Sequence, residues 1–558
     1  MFPVGIDSFS LLFNKTNILI YILIACFNGV LILFSSMKFL LVLQQSGYHG
    51  TRYFKWLGDK RTPYLSRLML LSMLGLLFFC VLNTCFEPIA GISLASYVGF
   101  IAYLLFMLLY IKSESAVNAK IPLKKTWRLI RLLITYTLVL IIISFAFVVL
   151  ADFLAFTIGD EMVGILRYVI ICILPLLAPE LLFIAYCINE PFEEIIRRRY
   201  LRVTTNKLDK SGVIKIGITG SFGKTSVKEI LKTILSQKFR VLATPASYNT
   251  PLGIALTVKN LDSTHDIFIA EMGARSKGDI KELCKIVKPT YALLTGVNNQ
   301  HLETFKTIEN IRQTKYEIME SLPKNGKGFF CADNKIASEL YEEFNKEKYL
   351  AGLNNENCFV YATDITTDNH GVNFILHIAN EKPIKCFTIL LGKHSISNIC
   401  LAAAVAYDLG LTTEEIAWGI SVLQSVGHRL ELMPNNKNIV IIDDSYNSNV
   451  DGVEAAMEVL DGYTGRKIVL TPGLVELGKL ENVANLQMGK TLAKHADKVI
   501  VIGRHNAEML IQGLIEGGMQ RENISFAKNL NKGNALLNEM LQEGDIVLFE
   551  NDLPDNYS

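Results

Sequence analysis

Five apolar runs crowd into the first third of this 558-residue chain, at roughly 17–43, 65–85, 89–111, 129–150 and 163–187. A helix needs about 20 apolar residues to cross the hydrocarbon core of a bilayer, and each run reaches that length. The first run is too long for a signal peptide, lacks a small-residue cleavage site and is followed by further apolar runs. Residues 1–187 are therefore expected to form a membrane domain of about five transmembrane helices, with 188–210 as a juxtamembrane helix or linker.

Loop charge sets the expected orientation, because basic residues stay on the cytoplasmic side. Arg52, Lys55, Lys60, Arg61 and Arg67 follow the first run, Lys112, Lys120, Lys124, Lys125 and Arg128 follow the third, and "NEPFEEIIRRRYLR" follows the fifth. This pattern puts the N-terminus outside and the C-terminal bulk in the cytoplasm, on a multi-pass protein of the cytoplasmic membrane. Tyr48, Arg52, Tyr53 and Trp56, in the first basic loop, suit either a phosphorylated lipid headgroup or, preferably, an interfacial anchor. The lipid bilayer is thus the first expected partner. A formal net charge of +2 gives no reason to expect a nucleic-acid partner, and ten scattered cysteines without a CxxC pair argue against a disulfide or zinc framework.

From about residue 211 the pattern changes. Short β-branched runs ("VIKIGIT", "HDIFIAEM", "YALLTGV", "NIVIIDD", "RKIVLTP", "DKVIVIG", "DIVLFEN") alternate with helical stretches. That alternation predicts parallel sheets joined by crossover helices. A boundary is expected near "LQSVGHRLEL", giving one α/β domain over 211–425 and a smaller one over 426–558.

Between the strand "VIKIGIT" and an amphipathic helix lies "GSFGKTS". Glycines let backbone N–H groups curl around phosphate oxygens, and a helix start favours the negative charge. Gly220, Ser221, Gly223, Lys224, Thr225 and Ser226 are therefore expected to bind a nucleotide, with Lys224 on the β/γ-phosphates and Thr225 at Mg²⁺. The turn is the shorter T-G-x-x-G-K-T form, since Ile218 stands where the longer P-loop pattern has glycine. Two strand ends carry acids that suit a metal or nucleotide: Glu271 in "IFIAEM", and Asp443 and Asp444 in "IVIIDD".

Eight motifs in order, "GITGSFGKTSVKE", "EMGARSKGDI", "NNQHLETF", "QTKYEI", "GKHSISNICLAAA", "HRLEL", "DDSYNSN" and "GLVELG", resemble the Mur ligase family over about residues 211–558. The resemblance implies a P-loop central ATPase domain with a mainly parallel sheet and a Rossmann-like C-terminal domain, here behind an α-helical membrane domain. It also implies an ATP-dependent ligase. The γ-phosphate activates an acceptor carboxylate as an acyl phosphate, and an amine then attacks. The implied acceptor is a peptidoglycan precursor, and the implied amine is D-Ala-D-Ala or a similar amino acid or dipeptide. Two Mg²⁺ ions are implied, one held by Thr225 and Glu271. His301 and Lys315 would hold the second, with Lys315, fourteen residues later, carbamylated. Lys224, His301, Lys315 and Arg429 take the catalytic roles, with Arg429 towards the γ-phosphate. Asn398 matches the adenine-contacting position, and Asp444 reaches ATP from the C-terminal domain. Asn249 lies towards the acceptor, and Tyr446, Asn447 and Asn449 towards the amine.

Soluble members of the resembling branch begin with a small domain that grips a UDP-sugar, and the apolar runs stand in its place here. A second reading is another membrane-tethered amide ligase, such as one making poly-γ-glutamate. A third is an ATP-driven transporter. The latter needs an LSGGQ-like helix start and charged groups along its spans, and neither is evident in the sequence. Glu476 in "LVELG" and the closing "FENDLPDNYS" receive no chemical account from the sequence.

Overall fold

The computed structural model describes residues 15–58, 70–78, 81, 92–115, 123–158, 174–246, 248–298, 302–368, 371–425, 427–433, 438–445, 450–475, 477 and 480–551. These fall into two compact units, divided between Arg197 and Arg198.

The first unit is helical. Its elements are α1 (Lys15–Ser35), α2 (Met37–Gln45), α3 (Gly50–Gly58), α4 (Ile92–Ser115), α5 (Trp127–Ile158) and the start of α6 (Ala178–Lys210). Of the five expected spans, the described residues support one or two. Among the described residues, one unbroken helix, Trp127–Leu150 within α5, is long and apolar enough to cross a membrane. A second qualifies only if Tyr21–Ser35 and Met37–Gln45, bent by 51°, count as one broken span. The apolar part of α4 is shorter, at Ile101–Lys112. Much of the expected second and fifth spans lies outside the described residues.

The bend in the first span has a local cause. Ser35 and Ser36 both turn their hydroxyls back onto the Ile32 carbonyl, at 2.8 and 2.6 Å. Serine hydroxyls that bond back onto a carbonyl of the preceding turn often bend a helix. The Ser36 hydroxyl also meets the Tyr136 hydroxyl at 2.8 Å, which fixes the bend against α5. Tyr53 is not available to a lipid headgroup: it is fully buried, and its hydroxyl donates to the Pro179 carbonyl at 3.2 Å. Tyr48 lies under the Arg128 guanidinium, 4.2 Å from the ring centre.

The second unit contains two sheets. The larger has the order β2-β3-β1-β4-β5-β6-β7-β8-β9. Its strands are β1 (Ile214–Thr219), β2 (Val241–Ala243), β3 (Ile267–Glu271), β4 (Tyr291–Leu294), β5 (Lys327–Cys331), β6 (Glu347–Leu353), β7 (Val360–Asp368), β8 (Gly371–Ile378) and β9 (Ile384–Thr388). Pairing is parallel from β2 across to β7, and antiparallel from β7 to β9. The smaller sheet has the order β10-β11-β15-β12-β13-β14, parallel except for the β10 (Glu431–Met433) pairing with β11 (Val440–Asp444). Its other strands are β12 (Lys467–Thr471), β13 (Lys498–Ile502), β14 (Ile524–Ala527) and β15 (Ile546–Glu550). The sheets are thus mixed and mostly parallel.

Helices cover both faces of the larger sheet. α7 (Lys224–Leu235) buries Val227, Ile230, Leu231 and Ile234 in one core, together with Ile396, Ile399 and Val405 of α10 (Lys393–Asp408). On the other face α8 (Asp279–Val287) and α9 (Ile308–Glu320) contribute Ile280, Leu283, Ile311 and Ile318. β1 sits between β3 and β4. Its C-terminal end is therefore a topological switch point, where open α/β sheets receive ligands.

In the smaller sheet, the segment after β12 is gripped by three buried asparagines. Asn485 accepts from the Leu474 amide at 2.8 Å and donates to the Leu474 carbonyl at 2.9 Å. Asn506 donates to the same carbonyl at 2.9 Å, and Asn551 donates to the Gly473 carbonyl at 2.6 Å. Part of the "GLVELG" and "FEN" motifs thereby gains a structural role, with the end of β15 pinning the loop after β12. Replacing one fully buried partner strands the groups it served, at about 1–3 kcal/mol each. Asn485→Leu is expected to destabilise the protein by about 2–3 kcal/mol, read as a lowered thermal midpoint, while Asn529→Ala at an exposed helix cap should cost under about 1 kcal/mol.

Candidate nucleotide site

Where β1 ends, the chain must turn sharply into α7. At Gly220 the backbone passes so close to the end of β4 that a Cβ would lie 2.0 Å from Thr295 Oγ1. Gly223 caps the helix in the left-handed region, at φ +75°. A Cβ there would lie 3.0 Å from Asn398 Oδ1, so Asn398 of α10 stands against the turn. The turn is held from behind: the Ser221 amide donates to the Gly296 carbonyl at 2.7 Å, the Ser221 hydroxyl accepts from the Asn298 amide at 3.2 Å, and Thr295 Oγ1 donates to the Phe222 carbonyl. Two glycines let the backbone pass this close to its neighbours and curl into the start of a helix, leaving a helix N-terminus at the turn. A polyphosphate fits this geometry.

Basic side chains converge on the turn. Lys224 folds over it, donating to the Gly220 and Ser221 carbonyls at 2.7 and 3.0 Å. Burial lowers its pKa from 10.5 to about 8; nearby Glu271 opposes the fall and Arg429 adds to it. Lys315, on α9, is 3% exposed. Burial pushes its pKa well below the ordinary lysine value, the Lys224 charge adds to this, and Asp279 and Glu317 act the other way. Arg429 arrives from the segment before β10, its Nη1 3.5 Å from Ser226 Oγ.

The backbone on either side of Arg429 is unusual. His428 and Leu430 both have left-handed φ, +63° and +42°, a conformation that side chains with a Cβ resist. Asp443 and Asp444 hold it there. His428 Nδ1 lies 2.7 Å from Asp443 Oδ2, and the Leu430 amide donates to Asp444 Oδ1 at 3.2 Å. Burial raises the Asp444 pKa to about 6, against the lowering effects of the Leu430 amide and Arg429. Asp444 therefore acts on the turn through Arg429's backbone.

The acid at the end of β3, Glu271, is 1% exposed. Asn249 Nδ2 donates to its Oε1 at 3.3 Å, and Lys228 Nζ lies 3.2 Å from its Oε2. A buried strand-end carboxylate next to the glycine turn has the oxygen chemistry that suits a hard divalent cation. The structure thus gathers Gly220, Ser221, Gly223, Lys224, Thr225, Ser226, Asn249, Glu271, Lys315, Asn398 and Arg429 into one region. His301, Tyr446, Asn447, Asn449 and Glu476 lie outside the described residues. Lys228 was not foreseen. Its signal was a lysine set among the apolar positions of α7, four residues after Lys224.

A lysine whose pKa falls on folding destabilises the protein while protonated. That penalty is complete below about pH 8 and is relieved as pH rises towards the unfolded value of 10.5. Lys224→Met should therefore raise the stability of the ligand-free protein at pH 7 by about 1–2 kcal/mol. The gain should shrink towards pH 10. Thermal melting across that range measures it.

Comparison with known proteins matches the Mur ligase middle domain to residues 218–406, and the Mur ligase glutamate ligase domain to residues 428–550. A UDP-N-acetylmuramoyl-tripeptide–D-alanyl-D-alanine ligase of Buchnera aphidicola is 33% identical over 304 residues, covering 54% of this chain and 66% of that relative. The enzyme of that name from Bacillus subtilis is 28% identical over 348 residues, covering 62% and 74%. The chain spans about two thirds of the length of these relatives. Among solved structures, the MurF ligase of Thermotoga maritima in complex with ADP is similar with a TM-score of 0.57 at 25% identity, over 64% of this chain and 80% of that one. The chain thus belongs to the Mur ligase family, whose members are ATP-dependent, ADP-forming ligases.

Proposed function

We propose that the chain is an ATP-dependent amide ligase that joins D-Ala-D-Ala, or a similar amino acid or dipeptide, to a peptidoglycan-precursor acceptor at the cytoplasmic face of the membrane. The observation that carries this reading is the convergence of Lys224, Lys315 and Arg429, from three separate elements, on one glycine turn. Similarity to ligases named for the tripeptide and D-alanyl-D-alanine supports the choice of substrates.

In this reading residues 211–425 are the central ATP-binding domain and 426–558 the C-terminal domain, behind a membrane domain (1–187) and a linker (188–210). The N-terminus lies outside and the catalytic domains in the cytoplasm. ATP lies with its phosphates along Gly220–Ser226 and its adenine near Asn398. Thr225 and Glu271 would hold one Mg²⁺, and His301 with carbamylated Lys315 a second. Bound Mg²⁺ would neutralise charge on the transferring phosphoryl group. An acceptor carboxylate oxygen attacks the γ-phosphorus, and ADP leaves. The amine nitrogen then attacks the acyl carbon and loses a proton, and inorganic phosphate departs with the former carboxylate oxygen. Lys224 and Arg429 stabilise the developing charge, a contribution that comes from positioning and preorganised electrostatics. Asp444 holds the Arg429 segment. Asn249 faces the acceptor, and Tyr446, Asn447 and Asn449 the amine. The lowered Lys315 pKa favours the neutral amine, the form that takes up CO₂.

Detergent-solubilised protein given ATP, Mg²⁺, D-Ala-D-Ala and UDP-muramoyl tripeptide should form the pentapeptide, detected by mass spectrometry. Lys224→Ala should lower the rate by about 10²–10³-fold. Amide formation only with a lipid-linked acceptor would move the substrate but keep the ligase. ATP consumption without amide on either acceptor would contradict the reading.

A further inference from the structure

One buried charge near the turn is not used by the proposed chemistry. α7 turns an apolar stripe inward, and Lys228 stands in that stripe, fully buried among Val227, Ile230 and Leu231. A buried ammonium is tolerated only when fixed partners replace its water. Lys228 Nζ has three: Glu271 Oε2 at 3.2 Å, Glu229 Oε1 at 3.3 Å, and the Ala246 carbonyl at 2.5 Å. Ala246 itself has a left-handed φ of +43°. The carbonyl offered to Lys228 thus belongs to a residue held in a conformation that alanine disfavours.

The same short segment is strapped to the end of β3 at further points. The Glu271 amide donates to Thr244 Oγ1 at 3.0 Å, and Asn249 Nδ2 donates to Glu271 Oε1 at 3.3 Å. The Gly273 amide donates to the Asn249 carbonyl at 3.0 Å. Asn249 lies so close over Gly273 that a Cβ there would stand 2.7 Å from its Cγ. Both oxygens of Glu271 are thus occupied, one by the loop and one by Lys228, and Lys228 bonds the loop and the acid together.

We propose that Lys228 is a positioning residue that locks Glu271 to Thr244, Ala246 and Asn249 as one rigid unit, setting the phosphate side and the acceptor side of the site jointly before either ligand arrives. This rests on the nucleotide reading above. Glu271 would receive a metal from an orientation imposed by Lys228, whose partners in the structure are Glu271, Glu229 and the Ala246 carbonyl. Outer partners of this kind typically change metal affinity by about 10–100-fold when removed.

The test uses the full-length protein carrying Lys228→Met or Lys228→Arg, each also combined with Glu271→Gln. Two readouts are taken: amide hydrogen exchange of residues 244–250 without ligand, and calorimetric ADP binding over a Mg²⁺ series that includes a chelator control. Lys228→Met should need at least about ten-fold more Mg²⁺ for half-saturation. It should leave Mg²⁺-free ADP binding within about two-fold, and should speed exchange in 244–250 but not in β12–β14. Lys228→Arg should restore most of both. In the Glu271→Gln background, Lys228→Met should shift the Mg²⁺ requirement by less than about two-fold, because the effect runs through Glu271. A folded Lys228→Met variant with unchanged Mg²⁺ requirement and unchanged exchange overturns the proposal. If Lys228→Met does not fold, Lys228→Gln, which keeps a donor without the charge, takes its place with the same expectations. Wild-type protein that binds no ADP would sink the nucleotide reading, while the exchange result would still decide the coupling of Lys228 to the loop.

Discussion

The turn between β1 and α7 is the constraint on which the rest of the site depends. β1 is flanked by β3 and β4, so the chain leaving it enters a crevice bounded by both neighbours. Gly220 can make that exit only because nothing projects towards Thr295, and Gly223 can start the helix only from a left-handed backbone. Once the turn is made, other elements supply the chemistry around it: Glu271 from β3, Lys315 from α9, Asn398 from α10 and Arg429 from the approach to the second sheet. The turn thus converts a sheet topology into a meeting point for side chains far apart in sequence.

That meeting point carries more positive charge than a ligand-free protein favours. The lowered pKa values of Lys224 and Lys315 express the same fact from two positions. Each loses solvent, and each feels another cation nearby. An anion held at the turn would relieve this crowding, so instability in the empty site becomes affinity in the filled one. Strain beside Arg429 belongs to the same economy. Two residues in left-handed backbone are held by Asp443 and Asp444, and the result is a guanidinium from the second sheet's approach that reaches the first sheet's glycine turn.

Much of this was legible in the sequence, for physical reasons. Buried parallel strands leave short β-branched runs, and "VIKIGIT" and "HDIFIAEM" are buried strands in the structure. A turn with special backbone needs glycine, and Gly220 and Gly223 advertise it. Amphipathic strands are quieter. β8, "GVNFILHI", alternates between buried and more exposed positions, so the antiparallel extension from β7 to β9 was not anticipated, and neither was the short β10. In the membrane region, apolar length shows that a segment can span but not that its helix is continuous: the first run bends by 51° where Ser35 and Ser36 both bond the Ile32 carbonyl. Lys228 escaped notice because sequence alone does not say which oxygens will surround a buried lysine. His301 and the Tyr446–Asn449 stretch, named from the sequence, fall outside the described residues.

The measurement that bears most directly on the proposed chemistry follows one oxygen atom. UDP-muramoyl tripeptide labelled with ¹⁸O in its reacting carboxylate would be turned over with ATP, Mg²⁺ and D-Ala-D-Ala, and the released phosphate examined by mass spectrometry. An acyl-phosphate route predicts one ¹⁸O atom in each phosphate, since that oxygen leaves the acceptor when the amide forms. Unlabelled phosphate would mean that water, not the acceptor, attacks the γ-phosphorus, and would contradict the ligase assignment at its centre.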